Sequence, residues 1–572
     1  MQTDKYQQLL LSWCEYLLKM QITDEADEYF GGFRCEACGH IHGRADNAVF
    51  PLAYAYSLTG DTRFLDGAKR LIDFRRLLSH EDGSVQNDFG SQWKGITAFS
   101  AINLYKTLEN FGKKLPDDFR KKLETLFKAS ACWVHENIKT GFRANINYYC
   151  AACAVNAMYG KYFDAPGFTL RAKELLSYCL GKFTANGWIT GEGQPHDFRT
   201  EKGCAPIDVG YDIEESLPCL VDAVVILKDA NALAQLSGHA LKALDFMLPD
   251  GGWDNSFGVR NNKWTYYGSR TSDGCIGAFT ELGKTDPVFF EAAERTFELL
   301  SVCTSGGALY GGPRYKENGQ PPCVHHTFCH ACALADALCA GLKEHKRMPL
   351  PCDADRLEYK YYPELDTYKI FAGPWAATVT AYDYSTYTYP RGAAHASGGA
   401  VSMLYHRKYG PVIAGSVYDY KPTEVYNMQL PRNIRHSTLI PRCEYEKDGV
   451  KYATCLDGGA KIKVTQSDAS VRVSVNAKFC NIEEKTAENP NLTAEFTYVF
   501  APEGVKMTVS LNKPDDKIKF VLPLIKNTVK PFTSSEYRCC DIFFLTGGFA
   551  AEEYTFSLNK SITICLGGIK DE

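Results

Sequence analysis

The sequence predicts a multidomain α+β protein, in which an N-terminal (α/α)6 toroid of helical hairpins precedes an antiparallel β-sandwich domain. Apolar residues recur three or four positions apart through residues 1–345, and from about residue 360 the pattern changes to period-two alternation. A chain of 572 residues is also too long for one ordinary core. We therefore expect a toroid at 1–345, a linker at 346–360 and an antiparallel β-sheet domain at 361–572.

The N-terminal part contains twelve candidate helices, enough for six hairpins. They are 4–20, 46–58, 61–78, 93–111, 116–136, 147–160, 167–184, 211–227, 232–248, 272–282, 288–302 and 326–343. Several begin at a plausible cap or early acidic residue, such as Asp61, or Asp117 directly after Pro116.

Short turns between these helices alternate with long links that are rich in glycine, aromatic and polar residues. The long links are 31–45, 81–92, 137–146, 185–210, 249–271 and 304–325. If the six hairpins close into a ring, these links lie together over its mouth. Long connections inside a compact domain are usually functional, so we expect the site there.

The C-terminal part alternates β-branched and aromatic residues with polar ones, as at 376–380, 471–475 and 494–500. Turn sequences such as Asp448-Gly449 separate the candidate strands. In the linker, Pro349 and Pro351 end the last helix because proline cannot continue it. These patterns predict antiparallel sheets packed as a sandwich.

The composition excludes several classes of protein. With 45% hydrophobic and 23% charged residues the chain is neither disordered nor fibrous, and a net charge of −5 gives no sign of a nucleic-acid partner. No apolar run approaches the roughly 18 residues of a membrane span. The polar amino end and 22 cysteines scattered through apolar segments favour a cytoplasmic location, or a periplasmic one if a signal peptide has been removed.

Two polar residues at predicted helix starts are candidates for chemistry at the mouth. Tyr211 is a candidate proton-transfer residue that a cationic neighbour would hold partly ionised; the alternative is an exposed aromatic cap. Asn147 is a candidate donor to a substrate carboxylate, and its alternative role is that of a helix N-cap.

Two of the long links are rich in aromatic residues that would offer flat faces to a sugar ring. These residues are Trp188, Trp253, Trp264, Tyr266 and Tyr267. Arg270, in link 249–271, would bind an anionic group through two parallel hydrogen bonds. Each aromatic residue alone is more simply read as packing on helix ends, but their concentration favours a carbohydrate-binding surface.

Two cysteine- and histidine-containing clusters have spacings typical of metal ligands. Cys35 and Cys38 form one half, Cys323 and His325 the other, and together they offer four ligands to a structural zinc ion. Alternative roles remain for their neighbours: His42 and Arg44 as substrate contacts, and His326 as a neutral histidine in the pocket.

In the β-domain, Arg435 and His436 are candidates to reach the cleft from the opposite side, if the sheet leans over the mouth. Exposed arginine–carboxylate pairs are the ordinary alternative. Carboxylates such as Asp208, Glu214 and Asp254 are so numerous that sequence alone selects no hydrolytic pair.

The predicted architecture resembles the heparinase II/III-like polysaccharide lyases, in which an (α/α) toroid precedes antiparallel β-sheets. The motifs that carry the resemblance are the helix entry at Asn145 and Asn147, the tyrosine and acidic helix from Tyr211 to Ser216, and His436. The resemblance implies that residues 1–345 form a catalytic domain acting on an acidic oligosaccharide that contains uronic acid.

The resemblance also implies β-elimination, in which a proton leaves the carbon next to a uronate carboxylate. Tyr211 would transfer protons with His326 and His436 as partners, while Asn147 and Arg270 would neutralise the carboxylate. This scheme requires no cofactor. Which uronate is cleaved, and the oligomeric state, are left open.

Two other classes of function fit the same architecture. A glycoside hydrolase on an (α/α)6 toroid would use paired carboxylates instead of the tyrosine and histidine, and a non-catalytic glycan-binding protein would release no product. A lyase differs from both because its product carries a conjugated double bond that absorbs in the near ultraviolet.

Overall fold

The computed structural model describes residues 3–568 except 194, 270–272, 344, 385–394, 419–437, 488, 490, 543–545 and 560. Helices occupy the first part and antiparallel strands the second, so the predicted fold class is confirmed. The helices are α1 (Thr3–Met20), α2 (Val49–Thr59), α3 (Thr62–Arg75), α4 (Thr97–Phe111), α5 (Asp117–Asn137), α6 (Ile146–Tyr162), α7 (Pro166–Leu180), α8 (Val209–Tyr211), α9 (Leu217–Leu227), α10 (Ala230–Ala243), α11 (Ile276–Gly283), α12 (Val288–Val302) and α13 (Val324–Ala340). A π-helical turn, Asp212–Ser216, joins α8 to α9 in one continuous segment.

The helices form two concentric rings. The inner ring runs α2, α4, α6, α9, α11 and α13, and α13 returns to contact α2. The outer helices α3, α5, α7, α10 and α12 pair with the inner helices that they adjoin in sequence, and α1 packs on α13. The sixth hairpin therefore joins the two ends of the helical domain, which closes the toroid.

Local sequence explains where each helix lies. Inner helix α6 is rich in alanine and cysteine and is buried on nearly all sides, as expected for a helix surrounded by neighbours. Outer helix α10 buries a single stripe, Ala232, Leu236, Ala240 and Ala243. Between α2 and α3, Gly60 takes the left-handed conformation, with φ 73°, and Asp61 accepts the backbone N–H of Arg63.

Among the described residues, the strands form three five-stranded antiparallel sheets, in the orders β3-β4-β5-β6-β7, β15-β16-β14-β8-β9 and β10-β11-β12-β13-β17. Strands β1 and β2 form a small hairpin before α13. Their bounds are β1 (Thr304–Ser305), β2 (Ala308–Leu309), β3 (Leu357–Tyr362), β4 (Thr367–Ala372), β5 (Trp375–Thr380), β6 (Ala400–His406), β7 (Gly410–Ala414), β8 (Arg442–Lys447), β9 (Val450–Ala453), β10 (Lys461–Gln466), β11 (Val471–Lys478), β12 (Thr493–Ala501), β13 (Gly504–Leu511), β14 (Lys519–Ile525), β15 (Arg538–Ile542), β16 (Ala551–Ser557) and β17 (Ile562–Gly567).

The sheet β3–β7 lies between the toroid and the other two sheets. Met403 and Tyr405 belong to the core of the toroid, whereas Leu404, between them, belongs to the core of the β-domain. This follows from the period of two, which turns neighbouring side chains to opposite faces. Across the junction, buried Lys369 on β4 forms a 2.7 Å ion pair with buried Asp254. The two parts are therefore joined by both apolar and charged contacts.

Within the described ranges, no helix combines the length and apolar character that crossing a membrane requires. All 22 cysteines are free thiols, and most are buried. Most of the buried ones pack as small apolar side chains, as their positions in apolar segments predict.

Candidate active site

A cavity of about 370 Å³ opens at the end of the toroid where the long links meet. Its walls come from links 31–45, 81–92, 137–146 and 249–271, from the starts of α4, α6 and α13, and from the segment formed by α8 and the π-helical turn. Its lining residues are His42, Gly43, Arg44, Asn87, Asp88, Ser91, Trp93, Ile96, Phe99, Arg143, Ala144, Asn145, Asn147, Tyr148, Tyr211, Glu215, Arg260, Lys263 and His325. Four of the six links thus meet at one site.

The position of Tyr211 is fixed by the helix start at Asp208. One carboxylate oxygen of Asp208 accepts the backbone N–H of Tyr211 at 3.0 Å, and the other accepts the backbone N–H of Arg260 at 3.1 Å. Burial raises the pKa of this carboxyl to about 6, although both hydrogen bonds lower it. Asp208 therefore connects α8, which ends at Tyr211, to link 249–271 through these two hydrogen bonds.

Two cations contact the Tyr211 side chain. The Lys263 ammonium donates a hydrogen bond to the phenol oxygen at 3.1 Å, and the Arg260 guanidinium stacks 4.0 Å from the ring centroid. Arg260 also forms a 2.5 Å ion pair with Glu192, which accepts a 2.7 Å hydrogen bond from Asn145. The phenol thus lies in a positively charged part of the cavity that surrounding side chains hold in place.

Asn147 and Glu215 form the second polar group of the cavity. The Asn147 amide donates a 2.6 Å hydrogen bond to Glu215, and its own buried oxygen has no hydrogen-bond partner among the described residues. Burial raises the pKa of the Glu215 carboxyl to about 8; Arg44 lowers it and Asp273 raises it further. Glu215 is therefore protonated at neutral pH and available as a hydrogen-bond donor.

His42 and Arg44 lie on the wall formed by link 31–45. Arg44 donates a 3.2 Å hydrogen bond to Asp273, and its guanidinium lies 5.1 Å from the ring centroid of Phe99. The His42 ring stacks on the His325 ring with 5.1 Å between centroids. Burial lowers the pKa of His325 well below its ordinary value, with His42 and Arg44 adding to the effect, so His325 is neutral.

The aromatic residues proposed as sugar-binding faces lie in the interior instead. At most 1% of each residue's surface is exposed for Trp188, Trp253, Trp264, Tyr266 and Tyr267. Trp188 packs on Phe246, and the Trp264 indole N–H donates to a backbone carbonyl of the same link. Their apolar area is used in packing the links onto the toroid, as in the simpler interpretation of each residue.

Trp93, which the sequence did not single out, is the aromatic side chain on the cavity wall with substantial exposure. It is 37% exposed, and its indole N–H donates a 2.8 Å hydrogen bond to the Tyr148 hydroxyl. Its ring also meets that of Tyr148 edge to face. These contacts orient the indole and leave part of it open to the cavity.

His326 does not line the described cavity. Its Nδ1 shares a 2.6 Å hydrogen bond with the Tyr267 hydroxyl in a buried group that includes His330 and Glu214. These contacts join His326 to Tyr267 and His330, outside the cavity that Tyr211 lines. Arg270, Arg435 and His436 lie outside the described residues.

The predicted metal ligands are brought together only in part. One donor atom each from Cys35, Cys38 and His42 lies within 4.8 Å of the others, and the Cys323 thiol lies 3.9 Å from that of Cys35. His325 Nε2 instead faces Cys329, at 3.8 Å. The histidine grouped with Cys35 and Cys38 is therefore His42 rather than His325.

Sequence reasoning left out Glu215, Arg260 and Lys263 as site residues. Glu215 is one of many carboxylates near the predicted mouth, and nothing in the sequence distinguishes it from the others. Arg260 and Lys263 lie in link 249–271, where the aromatic residues are the stronger signal. The one available signal was their occurrence in long links or at a helix start. No spacing rule relates positions 147, 215 and 260, which only the closed ring brings together.

Comparison with known proteins agrees with this architecture. Residues 10–352 match the family model of the ulvan lyase N-terminal domain, and residues 359–542 match that of the ulvan lyase C-terminal domain. A broad-specificity ulvan lyase from Formosa agariphila is 34% identical over 532 residues, which cover 90% of this chain and 82% of the relative.

Solved structures share the fold at low sequence identity. Heparinase III superimposes with a TM-score of 0.55 at 12% identity, covering 92% of this chain and 77% of that one. The chondroitin AC lyase of Streptomyces coelicolor A3, in complex with chondroitin sulphate, gives 0.54 at 11% identity, covering 99% and 83%. The expected resemblance to heparinase-like lyases is confirmed, and the family decides for a lyase over a hydrolase or a binding protein. The chain belongs to the ulvan lyase family and is a polysaccharide lyase.

Proposed function

We propose that the protein cleaves ulvan, or a similar polysaccharide containing uronic acid, by β-elimination in the cavity at the toroid mouth. The observation that carries the proposal is the position of Tyr211, which shares this cavity with two cations and with the Asn147–Glu215 pair. The relative from Formosa agariphila, an ulvan lyase, supports the choice of substrate.

Elimination requires that the uronate carboxylate be neutralised, because the proton on the adjacent carbon is otherwise too weakly acidic. Asn147 and Glu215 would do this together. Since the pKa of Glu215 is raised to about 8, its acid proton is present at neutral pH and can be donated to the substrate carboxylate. The Asn147 amide has a second N–H to donate beside it.

Tyr211 would remove the proton. Lys263, 3.1 Å from the phenol oxygen, and Arg260, 4.0 Å from the ring centroid, stabilise negative charge on the phenol. They therefore favour the ionised form, which acts as a base. The electron pair of the broken C–H bond forms the C=C bond, and the bond to the leaving glycosidic oxygen breaks. The proton now on Tyr211 passes to that oxygen, so no water is consumed.

Trp93 and His325 would assist at the cavity wall. The exposed part of the Trp93 ring offers a flat apolar face to a sugar ring next to the reacting uronate. His325 is neutral and can accept or relay a proton if the leaving oxygen lies nearer to it than to Tyr211.

The test follows near-ultraviolet absorbance when the purified protein is mixed with ulvan, with a neutral polysaccharide as the substrate control. We expect the absorbance to rise when the substrate is ulvan and to stay constant with the neutral polysaccharide. Tyr211→Phe should lower kcat/KM by about 10²–10⁴, the usual contribution of acid–base catalysis.

The matched control is Tyr54→Phe. Tyr54 lies on α2, where its hydroxyl accepts a 3.1 Å hydrogen bond from Gln7, away from the cavity lining. This variant should keep the wild-type rate. A folded Tyr211→Phe variant that retained the wild-type rate would refute the role of Tyr211, and cleavage without new absorbance would refute elimination.

A further inference from the structure

Link 31–45 contains a tight turn that points two thiols to the same side. Within Cys35-Glu-Ala-Cys38-Gly39, the backbone N–H of Gly39 donates to the Cys35 carbonyl at 2.8 Å, and the N–H of Cys35 donates to the His40 carbonyl at 3.0 Å. Gly39 has φ 74°, a conformation that favours glycine. The chain then returns, and His42 faces the same thiols.

Two distances between donor atoms match those of a tetrahedral zinc site. Cys38 Sγ lies 3.5 Å from His42 Nε2, and Cys35 Sγ lies 3.9 Å from Cys323 Sγ. Zinc binds sulfur at about 2.3 Å and imidazole nitrogen at about 2.0–2.1 Å, so tetrahedral ligands stand about 3.8 Å apart for two sulfurs and about 3.5 Å for sulfur and nitrogen. The sulfurs are much too far apart for a disulfide, in which they would be about 2 Å apart.

We propose that Cys35, Cys38, His42 and Cys323 bind one structural zinc ion. Three thiolates and one imidazole are a donor set that selects zinc over the hard cations, which prefer oxygen. All four residues are buried, as in structural sites whose coordination is complete. Cys35, Cys38 and His42 form the compact part of the site, and Cys323, whose thiol lies 3.9 Å from that of Cys35, would complete it as the fourth ligand.

The ion would join two parts of the helical domain that are far apart in sequence. Cys323 is the N-cap residue of α13, the inner helix on which α1 packs to close the ring. The other three ligands belong to the link that follows α1. The zinc ion would therefore strengthen the closure of the toroid.

The site also adjoins the cavity wall. His42 lines the cavity and stacks on His325, and Arg44 follows two residues later. A bound ion would hold this segment of the wall in place. The metal is assigned a structural role, and the proposal does not depend on the elimination mechanism.

The test measures zinc by elemental analysis in the full chain, purified under reducing conditions and dialysed against metal-free buffer. We expect about one zinc ion per chain. Replacement by cobalt should give the intense visible absorption of tetrahedral thiolate coordination. Protein that contains no zinc, and takes up neither added zinc nor cobalt, would overturn the proposal, as would a Cys35–Cys323 disulfide found by mass spectrometry of unreduced protein.

Matched variants identify the ligands. Cys38→Ser and Cys323→Ser should each lose zinc or weaken its binding at least tenfold, measured by competition with a chromogenic chelator, whereas Cys153→Ser, a buried thiol on α6, should keep it. Unchanged affinity in either ligand variant would contradict the assignment.

Three histidine variants keep the test decisive if the serine variants fold poorly. His42→Cys retains four donors and should keep zinc with a cobalt spectrum typical of four thiolates. His325→Ala, which removes the stacked neighbour, should leave the zinc content unchanged. If His325→Ala lost the metal and His42→Ala kept it, the assignment of His42 would be wrong.

Discussion

Replacing Glu215 by glutamine is expected to change how stability depends on pH. Glu215 is buried beside Asn147, and burial raises the pKa of its carboxyl from an ordinary 4.5 to about 8. In the folded protein the carboxyl therefore keeps a proton that it loses in the unfolded chain. The stability contributed by this proton is fully present below pH 4.5 and is lost as the pH rises through about 8.

The size of the effect follows from the interval between the two pKa values. Each pH unit between 4.5 and about 8 lowers the free energy of unfolding of the wild type, relative to the glutamine variant, by about 1.4 kcal/mol. Over the whole interval the change is about 5 kcal/mol. Glutamine keeps the length of the side chain and an oxygen that accepts the Asn147 N–H, but it has no proton to release.

The assay is urea unfolding of both proteins at pH values from about 5 to about 9. The stability of the wild type relative to Glu215→Gln should fall steadily up to about pH 8 and then level off. Glu495→Gln, on the exposed face of β12, controls for the loss of an acidic side chain and should show no comparable trend. A constant difference for Glu215→Gln would show that Glu215 is ionised in the folded protein, and this would remove the proposed proton donor to the substrate carboxylate.

Two further substitutions separate substrate binding from stability. Trp93→Ala removes the partly exposed ring at the cavity. It should raise KM for the polysaccharide about three- to tenfold, in keeping with an aromatic contribution of about 0.5–1.5 kcal/mol, and change kcat little. An unchanged KM in steady-state kinetics would exclude Trp93 from substrate binding. Lys369→Met leaves Asp254 charged and buried without its 2.7 Å partner. The free energy of unfolding in urea should therefore fall by about 3–5 kcal/mol, and adding Asp254→Asn should restore much of the lost stability. A Lys369→Met variant as stable as the wild type would show that this ion pair does not stabilise the junction.

The sequence by itself determined the elements and their order. The apolar periods of helices and strands involve residues only a few positions apart. Helix α6, the buried stripe on α10 and the alternation along β11 can therefore be predicted from short stretches of sequence. The alternation of short turns and long links also predicted a ring with a functional mouth. This prediction is reflected in the cavity, whose walls come from four of the six links.

Only the tertiary structure decided which side chains face that mouth. Links have no period, so the direction of an aromatic ring depends on contacts far away in sequence. The sequence therefore does not distinguish Trp253 and Trp264 from exposed aromatic residues. In the structure both are buried, whereas Trp93 is partly exposed on the cavity wall. Asn147, Glu215 and Arg260 likewise meet because the ring closes. Apolar burial drives that closure, and it carries no directional signal that a single sequence displays.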